Sequence, residues 1–282
     1  MTLAIDITFL VAVCLYVVAA VMSYVYLQGG KNSVLRATHH AVVGGAVLLF
    51  LLFCMRWATH GRLPLTTMVD VLNILILTAT AVVLPLVRRE NVRALLCYYA
   101  PPLALLAVFN GIVGRASLRT VPKELNEAFV AMHVGPVIIA FALFFVASLT
   151  GFVYIVQAQR LKSLRTNATP AKLPPLEQLD ATLFSLIRWG YPLFVVTLLL
   201  GFFGAYLFPE ELDANWWRSP KILLAVATAA LFSFSFHSRK LGLLRGRKLA
   251  YVVVVGFTVM LAIYLLLQST GLKDYGFWSA SV

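Results

Sequence analysis

The sequence predicts an all-α integral membrane protein: a bundle of about eight transmembrane helices forming a single transmembrane domain over residues 1–282. Three observations predict it. Hydrophobic residues make up 61% of the chain and charged residues only 12%, with a mean hydropathy of +0.89, whereas an ordinary globular domain carries roughly a quarter charged residues. Eight apolar runs reach the roughly 20 residues that a helix needs to cross a bilayer. The few charges fall between those runs, which therefore lack the polar stripe that a soluble helix turns to water.

The first run, about 5–27, is too long for the core of a cleavable signal and lacks a basic start, so a spanning helix is expected there. The second and third lie at about 36–57 and 67–87. The fourth, about 93–113, is the weakest, because Pro101 and Pro102 interrupt it. The fifth, about 128–158, is long enough to tilt or to extend beyond the membrane. The sixth, seventh and eighth lie at about 181–207, 220–238 and 249–269, with Arg188 inside the sixth. Between the fifth and sixth, Gln157 to Asp180 holds Pro170, Pro174 and Pro175 and reads as a linker or a short surface helix.

Orientation follows from lysine and arginine, which concentrate on the cytoplasmic side of spanning helices. One set of loops carries Lys31, Arg36, Arg88, Arg89, Arg93, Arg160, Lys162, Arg165, Lys172, Arg239, Lys240, Arg245, Arg247 and Lys248. The opposite set carries Arg56, Arg62, Arg115, Arg119, Lys123, Arg218, Lys221 and Lys273. Fourteen against eight places the first set in the cytoplasm and both termini on the outer, periplasmic side. The expectation is a multi-pass protein of the plasma (bacterial inner) membrane. Its net charge of +12 is mostly this inner collar, which suits anionic lipid headgroups and calls for no nucleic acid.

Cys14, Cys54 and Cys97 lie in apolar runs without a Cys-x-x-Cys spacing, so neither a thiol relay nor a zinc site is indicated and three buried structural thiols are expected. No nucleotide-binding glycine loop, nucleophile elbow or paired catalytic carboxylate is present. The outer loop from Phe208 to Lys221 is acidic at Glu210, Glu211 and Asp213 and aromatic at Trp216 and Trp217. Such a tryptophan pair suits an interfacial belt.

Five histidines carry most of the chemistry. Imidazole inside a bilayer is costly unless paired, hydrated or bound, and it is a standard axial ligand of haem iron. His39 and His40 open the second helix on the cytoplasmic side, where His237 closes the seventh. His133 lies one to two turns into the fifth helix from the outer side, and His60 sits just outside the second. A histidine pair is possible at each face. By placement alone, wetted interfacial side chains and iron ligands are both open readings.

Several short stretches add to this. Arg56-Trp57 is followed by Gly61-Arg62-Leu63-Pro64-Leu65-Thr66-Thr67-Met68-Val69-Asp70. Met132-His133-Val134 opens the fifth helix, Gly190-Tyr191-Pro192 lies in the sixth, His237-Ser238-Arg239 ends the seventh, and Gly246-Arg247-Lys248 turns into the eighth. In order and spacing they resemble the CcsA-type cytochrome c assembly proteins, with their HemX and YpjD relatives, from about the second helix to the C-terminus. The resemblance implies a protein that moves haem from the cytoplasmic side to the outer face and, with a partner membrane protein, attaches it to apocytochrome c. It implies an inner ligand pair, His39 or His40 with His237. It also implies an outer pair beside a tryptophan-rich loop, with His133 as its first member. The expected haem-binding residues are therefore His39, His40, His133, His237, Trp216, Trp217 and His60, with His133, His237 and His40 on the iron.

Two motifs depart from the family. Its Trp-x-Trp-Asp-Pro-Lys-Glu is here Trp216-Trp217-Arg218-Ser219-Pro220-Lys221-Ile222, and its Gly-Leu-His-Ser-Tyr-Gly is Gly271-Leu272-Lys273-Asp274-Tyr275-Gly276. The second outer histidine is thus Lys273, for which His60 is a possible substitute. Three readings follow: a haem-handling assembly protein with a variant outer site, a HemX-like accessory haem protein, or a non-catalytic structural subunit that kept the fold. If the chain is active, the activity is haem transfer or cytochrome c synthesis together with the partner.

Overall fold

A computed structural model describes residues 2–61, 63–65, 67–88, 90–113, 127–162, 173–207 and 216–270. They form eight helices: α1 (Thr2–Gly29), α2 (Asn32–His60), α3 (Met68–Leu86), α4 (Leu96–Val113), α5 (Glu127–Lys162), α6 (Leu176–Leu207), α7 (Pro220–Lys240) and α8 (Arg247–Thr270). All eight are long and apolar enough to cross a membrane, and the described residues contain no strand. The chain is a multi-pass membrane protein.

Local chemistry sets the helix ends. Gly61 caps α2 in the left-handed region, φ 67°, and its N–H donates to the Trp57 carbonyl, a backbone conformation that glycine adopts without a Cβ penalty. The Thr67 hydroxyl accepts the Asp70 N–H at 3.2 Å and donates to the Asp70 carboxylate at 2.6 Å, fixing the start of α3. Pro220 occupies the first turn of α7, where its missing N–H costs nothing.

Two expectations change. Pro101 and Pro102 do not interrupt the fourth helix, because α4 runs through both after a 3₁₀ turn over Glu90–Leu95. Spanning helices tolerate proline where neighbouring groups satisfy the freed backbone. The three thiols are not all buried: Cys97 is, Cys54 is half-buried and Cys14 is exposed. The outer faces of the bundle are apolar because they meet lipid, so an apolar run does not imply burial in protein.

The helices pack as two groups of four. In the first, α1 and α3 each lie along α2 and α4. In the second, α5 and α7 each lie along α6 and α8. The packing of α3 on α5 joins them. Buried polar pairs stitch the helices: Tyr16 to Thr80 at 2.9 Å, Tyr99 to Thr150 at 2.9 Å, and the Asn110 amide donating to Asn73 at 2.9 Å. Within the second group, Phe144 of α5 stacks on Phe232 of α7 with ring centroids 3.5 Å apart. The expected linker between the fifth and sixth helices is shorter than its sequence suggested. Helix α5 continues to Lys162 and α6 begins at Leu176. Pro170, Arg165 and Lys172 lie outside the described residues.

Candidate functional site

The end of the bundle formed by the start of α2 and the end of α7 holds three of the five histidines. His39 and His40 meet edge to face at 5.8 Å, with His39 half-buried and His40 exposed. Across the bundle, the Nδ1–H of His237 donates to the Ser233 carbonyl one turn earlier at 2.8 Å. A carbonyl can only accept, so Nδ1 carries a proton, and in the neutral ring the lone pair is on Nε2. This is the orientation that a backbone carbonyl imposes on metal-binding imidazole. Tyr191 and Phe236 stand edge-on to the ring at 5.8 and 5.3 Å. Asp180 at the start of α6 locks this end. It pairs with Arg239 and accepts the Gly246 N–H at 3.1 Å. Gly246 has φ 55°, which lets its backbone reach that carboxylate.

The expected inner pair lies on different halves of the molecule, His39 and His40 on α2 and His237 on α7. Among the described residues, no hydrogen bond or ring contact joins them. Helix α2 packs on α1, α3 and α4, and α7 on α6 and α8, so the packing that joins the two groups does not bring the two sides of this pair against each other.

At the opposite end, His133 of α5 rests against Gly201 of α6, where a Cβ would lie 2.8 Å from the ring Cε1. The glycine is the seat of that imidazole. Trp216 packs on the next residue, Phe202, at 6.1 Å, so histidine and tryptophan flank the same turn of α6. Trp217 is 52% exposed, and the Arg218 guanidinium lies over its ring at 4.5 Å. His60 ends α2 with its Nδ1–H donating to the Arg56 carbonyl at 2.9 Å, and it is exposed. Lys273 and the acidic residues Glu210, Glu211 and Asp213 lie outside the described residues.

Sequence reasoning missed a polar cluster near His60. Asp70, 5% exposed, pairs with Arg56 at 3.1 Å, and both line a small cavity with Asn73. An acidic residue and two asparagines in apolar runs were the available signal.

Among the described residues, no three His, Cys, Asp or Glu side chains converge as a metal cage. Haem iron makes no such demand, since the macrocycle supplies four nitrogens and the protein only one or two axial ligands. The donor set present here, separate imidazoles with aromatic walls and neighbouring cations, fits that group.

A family model described as cytochrome C assembly protein matches residues 7–273. A cytochrome c biogenesis protein CcsA of Chlamydomonas reinhardtii is 27% identical over 83% of this chain and 66% of its own length. The proteins of that name from Prochlorococcus marinus strains NATL1A and MIT 9303 are 23% and 26% identical over 95% of this chain, covering 93% and 92% of their own lengths. No solved structure matches the chain.

Proposed function

The chain belongs to the cytochrome c assembly protein family, and from that premise we propose that it handles haem in the membrane and passes it towards apocytochrome c with a partner membrane protein. The observation that carries this reading is His237. Its Nδ1–H is tied to a backbone carbonyl, which in the neutral ring leaves Nε2 as the nitrogen that would bind iron. When bound, haem supplies an iron with open axial positions and two carboxylates. The chain's residues then have separable tasks. His237 would hold the iron from α7, with His40 on α2 as the candidate second ligand and His39 beside it. Tyr191 and Phe236 wall the His237 ring. At the far end, His133 on its glycine seat offers a second ligand, with Trp216 and Trp217 as stacking surfaces and His60 as the nearby alternative imidazole.

The lysine and arginine asymmetry supports a cytoplasmic location for the His237 end, with both termini outside and the protein in the plasma membrane. Labelling with an impermeant thiol reagent in intact cells tests this. Thr59→Cys is expected to react and Leu243→Cys to stay protected. The reverse pattern would invert the assignment.

A second reading is favoured by one observation. Arg218 covers a face of Trp217, the surface on which a flat macrocycle would stack. This fits a HemX-like accessory protein that binds haem at the His237 end without attaching it to apocytochrome. The absorption spectrum of the purified protein separates the readings from a purely structural role. Two imidazoles on iron give a low-spin spectrum, expected in the wild type and lost in His237→Ala. Wild-type protein that takes up no haem, or His237→Ala with an unchanged spectrum, would overturn the assignment.

A further inference from the structure

Arg188 stands on α6 between Phe184 and Tyr191, and residues four and three apart share one face of a helix. Both neighbours on that stripe face the end of α7. Phe184 stacks on Phe236 at 6.1 Å, and Tyr191 lies 5.2 Å from Phe236 and 5.8 Å from His237, with its hydroxyl donating to Ser233 at 3.2 Å. The stripe therefore carries Arg188 to the level of His237, on the side of α6 that borders it.

Its charge is exposed, and among the described residues it has no carboxylate partner. The adjacent cations are already engaged. Arg239 is paired with Asp180, and the Lys240 ammonium lies over the Phe236 ring at 4.5 Å. A guanidinium within a spanning helix is costly without a counterion. Its planar fork matches a carboxylate in a way that an ammonium does not.

We propose that Arg188 is a carboxylate anchor, taking a propionate of the haem whose iron His237 holds. The inference rests on the haem reading above and adds the residue that selects a porphyrin dicarboxylate over an uncharged macrocycle. One contact to iron from α7 and one to a propionate from α6 would fix the ring's rotation, which ligation of the iron alone leaves free.

The test compares haem with its dimethyl ester, titrated into purified protein in nanodiscs of zwitterionic lipid and followed by absorbance. Wild type is expected to bind haem about tenfold more tightly than the ester, the scale of one charge-assisted contact. Arg188→Gln should lose that preference while keeping the ester affinity and the low-spin spectrum, which also shows that it folds. Arg188→Lys should restore only part of it. Arg188→Gln with the preference intact would overturn the anchor, as expected of a guanidinium that serves only lipid headgroups, and would leave the haem reading standing. Wild type that binds neither compound would overturn both, and His237→Ala should weaken both compounds alike.

Discussion

Gly201→Ala probes the seat of His133. The new Cβ would lie 2.8 Å from the ring Cε1, whereas carbon atoms in ordinary contact stand ~3.5 Å apart. Ring or helix must give by about 0.7 Å. Such overpacking costs about 1–3 kcal/mol. Alanine also gains up to about 1 kcal/mol over glycine within a helix, so a raw stability change mixes two opposing terms. Gly111→Ala on α4 separates them, because its Cβ would meet Phe9 at an ordinary 3.4 Å. Unfolding in mixed detergent micelles should find Gly201→Ala the less stable of the two by about 1–3 kcal/mol. If His133 binds iron, Gly201→Ala should also lower haem occupancy at that end and leave the His237 signal in place. Equal stabilities for the two variants would refute the reasoning, since they would mean that the ring does not depend on this glycine.

Three further outcomes follow from other contacts. Asp180→Asn should loosen the α6–α7 end by about 1–2 kcal/mol, because it weakens a charge-assisted bond that is partly exposed to solvent; thermal unfolding in detergent checks it. Asn110→Leu alone should destabilise by about 1–2 kcal/mol by leaving Asn73 without its partner, while Asn73→Leu with Asn110→Leu should be closer to wild type, as expected when both members of a buried bond are removed together. In a double-mutant cycle, Arg56→Gln and Asp70→Asn should show a coupling of about 1 kcal/mol or more, because Asp70 is almost fully shielded from solvent. Additive effects would mean that the pair is not an energetic unit.

Most of the fold was legible because bilayer thickness imposes itself on the sequence. All eight spans were readable from apolar runs. The readings slipped where hydropathy is not the governing quantity. Helices α5 and α6 continue into polar residues such as Gln159 and Glu177, since a helix outlasts its apolar segment wherever its backbone bonds continue. Cys14 is lipid-facing, because an apolar residue in a bilayer has two acceptable environments. At the site, histidine depth could be read from position in each run, but lateral neighbours could not. That His133 sits on Gly201 depends on how α5 meets α6. Arg188 was visible as an isolated charge in the sixth run, yet only the contacts of Phe184 and Tyr191 with α7 give it a direction.

The division into two groups of four helices bears on how the chain enters the membrane. A chain is made N-terminus first, and its segments begin to associate as they emerge. The polar pairs of the first group, Tyr16 with Thr80, Arg56 with Asp70 and Asn73 with Asn110, are all complete within α1 to α4. None waits for a later helix. By the time α5 leaves the ribosome, the earlier helices can have satisfied these groups among themselves, so the insertion intermediate need not present them to lipid. One bond that reaches forward, Tyr99 to Thr150, joins two hydroxyls. Tyr99 is made first and its hydroxyl waits for α5, whereas Thr150 arrives with its own hydroxyl already donating to the Val146 carbonyl of the preceding turn, so the cost of waiting falls on a single tyrosine hydroxyl.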